Sequence, residues 1–139
     1  MLTELESLRR HLTDGGFTCV VRTKDKEYTS FARGVKPLLE LLHSERSFAG
    51  ALAADKTIGA GAAHLYVLLG VGAVWANVIS VSAEQILTQA GITVLYEERV
   101  PYIINRRGDG MCPIESAVAS ATSSKEAYAL IVSALAKLS

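Results

Sequence analysis

Asp55 and Lys56 stand side by side in a long apolar neighbourhood, and their types and position point most directly to chemistry. An adjacent carboxyl and amine form a candidate acid/base pair where a buried strand hands over to a helix. Further along, Asn105-Arg106-Arg107-Gly108-Asp109-Gly110 sets two planar guanidinium groups beside glycines, a combination that suits a concavity of N–H donors for phosphate or carboxylate. Cys112 precedes Pro113 and Glu115 at an expected helix start, where free N–H groups and the helix dipole favour thiolate and make it a candidate nucleophile. Each feature has a plainer alternative. Asp55 would cap a helix beginning near Thr57, Asn105 to Gly110 would be a solvated surface turn, and Cys112 would pack its own turn, since no histidine is assignable beside it.

Gly59 and Gly61 follow the Asp-Lys pair without completing a dinucleotide-binding fingerprint. They let either a ligand or a neighbouring element approach the backbone closely. His11, His43 and His64 share no metal-binding spacing, and His64, Tyr66 and Trp75 read as core residues.

The elements that must position these residues follow from patterning. At 139 residues, with half of them apolar, the chain is long enough for one domain with a substantial core. Lys plus Arg balance Asp plus Glu at 14 each, so no global field draws the chain to nucleic acid or to an anionic membrane, and any anion site is local. Two cysteines without paired spacing, and an acidic N-terminus in place of a secretory signal, suggest a reduced, cytoplasmic setting. Thr57 to Ala83 contains no Asp, Glu, Lys or Arg and exceeds the roughly 20 residues that span a bilayer. Four glycines, His64, Asn77 and a change from Ala/Leu-rich to Val/Ile-rich composition make it instead a buried helix, a turn and a buried strand.

In chain order, Thr3-x-x-Glu6 opens an amphipathic helix carrying Leu5, Leu8 and Leu12. Phe17 to Thr23 and Glu27 to Arg33 form an antiparallel hairpin, and Pro37 starts a second helix. Phe48 to Ala54 and Ala73 to Ile79 read as buried parallel strands around a helix from Ile58 to Leu69. A capping box at Ser82 begins another helix, and Ile92 to Glu98 gives the last strand. Val100 to Pro113 is a long loop, followed by helices from Pro113 and from Ser123, the latter with an inward stripe of Tyr128, Ile131, Leu135 and Leu138. The reading is therefore a three-layer α/β/α sandwich around a five-stranded mixed sheet, an antiparallel hairpin plus three parallel strands, with residues 99–139 as a C-terminal loop and helical extension.

That order also resembles the cytidine-deaminase-like fold. Arg33-Gly34-Val35-Lys36-Pro37-Leu38, then Ala54-Asp55-Lys56-Thr57-Ile58-Gly59, and the run from Pro101 to Glu115 resemble the motifs of domain-of-unknown-function family 1893. That family shares the deaminase-like fold and has no established activity, so the resemblance implies a shape without a reaction. Zinc deaminases carry a His or Cys ligand beside a general-acid/base Glu, then a Pro-Cys-x-x-Cys pair. The matching helix starts here hold Gly34-Val35-Lys36-Pro37 and Asp55-Lys56-Thr57-Ile58-Gly59, with neither thiolate nor imidazole, so no metal or other cofactor is expected.

Two readings of function result. In the first, the chain keeps the pocket, has no zinc, and binds an anionic, nucleotide-like small molecule through Arg33, Gly34, Lys36, Lys56, Gly59, Asn105, Arg106, Arg107 and Asp109. The Asp55-Lys56 pair and the loop from Asn105 to Cys112 would then form two walls of one anion-accepting pocket beyond the strand ends. In the second, it is a metal-independent enzyme using Cys112 or the Asp55/Lys56 pair. A structural subunit without a ligand is a third reading, and self-association is compatible with all three. Elemental analysis of the purified protein should find no stoichiometric zinc, and one zinc per chain, with structure lost on chelation, would refute this reading of the motifs.

Overall fold

In the computed structural model, which describes residues 2–105 and 107–138, five strands and six helices follow one another. They are α1 (Leu2–Gly15), β1 (Cys19–Arg22), β2 (Glu27–Ser30), α2 (Lys36–His43), β3 (Leu52–Ile58), α3 (Ala60–Leu69), β4 (Ala73–Ser80), α4 (Val81–Gln89), β5 (Thr93–Val100), α5 (Pro113–Ala117) and α6 (Ser124–Leu138). The sheet order is β2-β1-β3-β4-β5. β1 pairs antiparallel with both β2 and β3, whereas β3, β4 and β5 run parallel. This is the mixed sheet expected from the hairpin and the strand-helix-strand repeats.

Alternation along the central strands gives the sheet two apolar faces. Val20, Leu52, Ala54, Ala73 and Trp75 face α1, whose Leu5, Leu8 and Leu12 are buried against them. Val21, Ala53, Val74 and Ala76 face the opposite way, into the larger core shared with α2, α3, α4 and α6. α3 lies deepest there, with Ala60, Ala63, Leu65 and Tyr66 among its buried residues. It ends where Gly70 adopts the left-handed conformation (φ 79°) and returns its N–H to Tyr66 and Val67. No helix among the described residues is long and apolar enough to cross a membrane, because the uncharged run is divided into α3 and β4.

Several boundaries differ from the sequence reading, for identifiable reasons. β3 runs from Leu52 to Ile58, not from Phe48 to Ala54. The apolar residues before it form a turn closed by Ala51 N–H to the Phe48 carbonyl (3.0 Å), and Phe48 is buried edge-on to Tyr28. Apolarity alone does not separate a strand from a buried turn; pairing does, and it begins at Leu52 opposite Ala73. Thr3 lies inside α1, so it caps nothing. The cap of α4 is Ser80, at the extended end of β4, whose Oγ accepts the Ala83 N–H (3.2 Å); Ser82 lies two residues later, inside the helix. At α6 the cap is Ser123 as expected, its Oγ accepting Glu126 N–H (3.1 Å), while the Glu126 carboxylate accepts the N–H and hydroxyl of Thr122 (3.3 Å each). Ile131 is buried and Tyr128 and Leu135 pack against the core; the side chain of Leu138 lies outside the described residues.

Candidate functional site

Extending β3 changes what Asp55 is. It sits within a central strand, in register with Cys19 of β1 and Ala76 of β4, and not at a helix start. Its Oδ1 accepts the N–H of Thr57 (3.2 Å), and its Oδ2 accepts the hydroxyl of Tyr66 from α3 (2.7 Å). The Tyr66 oxygen in turn lies 3.4 Å from Cys19 Sγ. Asp55, Tyr66 and Cys19 are thus a buried polar chain between the sheet and α3. Burial pushes the Asp55 carboxyl up to about 7, against the opposing hydrogen bonds from Tyr66 and Thr57. Burial, reinforced by the neighbouring Asp55 charge, also pushes Cys19 and Tyr66 well above their usual values, so both keep their protons and Cys19 is a poor nucleophile.

Lys56 does not join this cluster. Neighbouring strand residues point to opposite faces, and Asp55 is buried where Lys56 is exposed. The expected acid/base pair is therefore separated by the sheet itself. Asp55 as a helix cap is likewise excluded, since α3 begins at Ala60 with Gly59 as its N-cap and no side-chain cap of its own.

The start of α3 is occupied by a residue that the sequence reading passed over. Glu115, buried on the short helix α5, accepts the Ala60 N–H with Oε2 and the Ile103 N–H with Oε1 (3.4 Å). It supplies the negative charge that a helix N-terminus favours. The two glycines make the approach close. A Cβ on Gly59 would lie 2.5 Å from Glu115 Oε2 and 3.0 Å from Ile103 Cγ1, and one on Gly61 would collide with Ile114. What comes near the backbone at Gly59 is the chain's own C-terminal extension.

The loop from Asn105 to Cys112 is bonded chiefly to itself, and this internal bonding differs from an open anion cradle. Asn105 N–H reaches the Gly110 carbonyl (2.8 Å), Cys112 N–H reaches that of Ile103 (2.8 Å), and Ile104 bridges Met111. The N–H groups of Gly108 and Asp109 both point to Asn105 Oδ1 (2.9 and 3.2 Å), and the Asn105 amide donates to Asp109 (2.9 Å). Asn105 thus satisfies the donors assigned to a ligand. Arg107 and Asp109 are exposed, and Arg106 lies outside the described residues. Cys112 is the half-buried N-cap of α5 and makes no side-chain cap bond. Among the described residues no hydrogen bond or ion pair joins Asp55 or Lys56 to this loop, whose donors are instead taken up within it.

Arg33 and Gly34 lead into α2, and Lys36 is its first residue; Gly34 has φ 71° and Val35 is the N-cap. Beside this helix start lies a cavity of about 350 Å³ between the β1–β2 hairpin and α2. Cys19 and Val21 line its floor, Tyr28, Pro37 and Leu41 its walls, and Glu40 its rim. His64 is buried and meets Ser124 Oγ at 2.9 Å, tying α3 to α6, and burial lowers its pKa. Among the described residues, no group of three or more His, Cys, Asp or Glu side chains is placed to hold a metal ion.

A five-stranded mixed sheet in this order, layered by helices, is an α/β fold of deaminase-like type. The chain belongs to the family described as Domain of unknown function (DUF1893), whose pattern matches residues 7–135. It is similar to the crystal structure of a DUF1893 family protein from Thermotoga maritima, with 25% identity over 99% of this chain and 91% of that one and a TM-score of 0.86. It also resembles, in fold alone, the apo form of dCMP deaminase from the cyanophage S-TIM5, with 14% identity over 72% of this chain and 99% of that one and a TM-score of 0.51. No curated protein matches the chain.

Replacing Asp55 with Asn separates its charge from its shape. A carboxyl raised from 3.8 to about 7 holds, in the folded state, a proton that the unfolded chain has already lost, so its contribution to stability declines as pH rises between those values. Denaturation of wild type and Asp55→Asn at about pH 5 and about pH 8 should show the wild type losing stability relative to the variant at the higher pH. An identical difference at both pH values would mean that Asp55 is not held protonated.

Proposed function

We propose that this chain is a metal-independent binding module for a nucleotide-like small molecule, seated between the β1–β2 hairpin and α2. The observation that carries the reading is the position of the cavity, which runs along α2 from Pro37 to Glu40 and so adjoins the helix start bearing Lys36. Its floor and walls at Val21, Tyr28, Pro37 and Leu41 suit a flat, uncharged body. Glu40, which pairs with no cation among the described residues, suits the hydroxyl or amine donors of such a ligand. Glu27 is committed elsewhere, one oxygen to His11 and the other to Arg22 at 3.1 Å.

The anionic group belongs at the start of α2. Arg33 and Lys36 flank it, both are exposed, and neither pairs with a carboxylate among the described residues. The helix start itself adds little, since Pro37 has no N–H and those of Leu38 and Leu39 donate to the Val35 carbonyl (3.0 and 3.1 Å), so the two side chains carry the preference. This reading retains Arg33, Gly34 and Lys36 as ligand residues. It sets aside Gly59, Asn105 and Asp109, whose neighbours are supplied by the chain itself. Neither Cys112 nor Asp55 is given a catalytic role here, since among the described residues no side-chain hydrogen bond joins Cys112 to a base and Asp55 is sealed beneath Tyr66.

Calorimetric titration with nucleosides and their 5′-monophosphates tests the proposal. Lys36→Ala and Arg33→Ala should each weaken a monophosphate about tenfold or more, as expected for loss of a charge-assisted contact, while leaving the parent nucleoside unaffected. Glu40→Gln should weaken both. Failure of every nucleoside and monophosphate to bind, or binding that ignores these substitutions, would overturn it.

A further inference from the structure

A second, smaller cavity lies on the far side of Leu41, where the C-terminal ends of α2 and α3 meet the turn before β3. Its volume is about 260 Å³, just below the roughly 300–1,000 Å³ of pockets for drug-sized ligands, so its occupant is small. Leu41, Leu42, Phe48 and Leu69 supply its apolar side chains, and Arg46 and Ser47, both exposed, its polar ones. An open hollow that combines apolar side chains with one cation and one hydroxyl can fix the orientation of an amphiphilic ligand.

Arg46 is held in place without being neutralised. Its Nη1 donates to the Tyr28 hydroxyl (2.7 Å), and its guanidinium carbon lies 5.6 Å from the centre of the Tyr28 ring. No carboxylate among the described residues pairs with it. Its remaining donors form a planar fork suited to a carboxylate. Helix C-termini ordinarily disfavour anions, but here the last turns are capped. Ser44 donates its hydroxyl to the Leu41 carbonyl (2.7 Å) and its N–H to Glu40 and Leu41, and Gly70 N–H returns to Tyr66 and Val67. The full charge of Arg46 therefore dominates over the partial charges of about half a unit at the helix ends.

We propose that this cavity is a binding site for a small apolar monocarboxylate, its hydrocarbon or ring between Leu41, Leu42, Phe48 and Leu69 and its carboxylate on Arg46 and Ser47. The site adjoins the one beside the start of α2, sharing Leu41 with it and resting Arg46 on its Tyr28, and it stands whether or not that site binds a nucleotide.

Benzoate and its uncharged counterpart benzamide have the same shape and differ in the group that Arg46 would meet. Titrated into the ¹⁵N-labelled protein, benzoate should shift the amide resonances of Leu42, Phe48 and Leu69, and should bind about tenfold or more tightly than benzamide. Arg46→Gln should abolish that preference while leaving benzamide binding within about twofold. Leu68→Trp, at a partly exposed position on the cavity wall, should exclude both compounds without unfolding the chain. Equal affinities of wild type for benzoate and benzamide, or a preference for benzoate that survives Arg46→Gln, would overturn the proposal, as would resonance shifts confined to other parts of the chain.

Discussion

α3 is apolar on nearly every face, and that constraint organises the rest of the molecule. A helix of sequence Ala-Gly-Ala-Ala-His-Leu-Tyr-Val-Leu-Leu has no side of its own to offer to water, so each side must be covered by another element. The sheet lies under it, α2 and α4 flank it, and α6 closes over it with Ile131 in the shared core. The few polar groups on this helix are paired across those interfaces, Tyr66 to Asp55 of β3 and His64 to Ser124 of α6. Such pairing is what keeps buried polar groups from costing stability.

The same demand extends to the end of the helix. The first N–H groups of any helix lack partners within it, and α3 carries no capping side chain. Glu115 meets this need from 55 positions downstream; Gly59 leaves the room it requires, and Gly61 does the same for the neighbouring Ile114. Ile103, Ile114 and Glu115, from the segment between β5 and α6, thus close over the start of α3. In open α/β sheets the ends of the parallel strands are where ligands ordinarily enter. At the end of β3 the chain's own residues occupy that approach.

Much of the architecture was legible because it depends on local signals. Period-2 and period-3.6 patterns, the Gly-Gly stop after α1, and the short turns between the parallel elements carry the element order and the sheet type. The boundary of β3 was not legible. Asp55, Lys56 and Thr57 resemble a strand-to-helix joint until pairing with β1 and β4 shows that the strand continues through them. A charged pair inside a strand is tolerated because Asp55 finds Tyr66 and Lys56 finds solvent, and neither fact is encoded nearby in the sequence. The polar partners of Cys19, Tyr66 and Glu115 were not legible for the same reason. They lie 47, 11 and 55 positions away (Tyr66 from Cys19, Asp55 from Tyr66, Ala60 from Glu115), with no recurring spacing to mark them. For Glu115 a faint signal existed in its third-place position after Cys112 and Pro113, where an acidic residue suits a helix start; it serves the start of a different helix.

The central claim is that Glu115 closes the N-terminus of α3. Amide hydrogen exchange at Ala60 reads that contact directly, because this N–H has no partner within its own helix. The account predicts slow exchange at Ala60 in the wild type, and exchange faster by about tenfold or more in Glu115→Ala, where the acceptor is gone and the capped helix end is left open. Fast exchange at Ala60 in the wild type, or exchange unchanged by Glu115→Ala in a protein that remains folded, would contradict it.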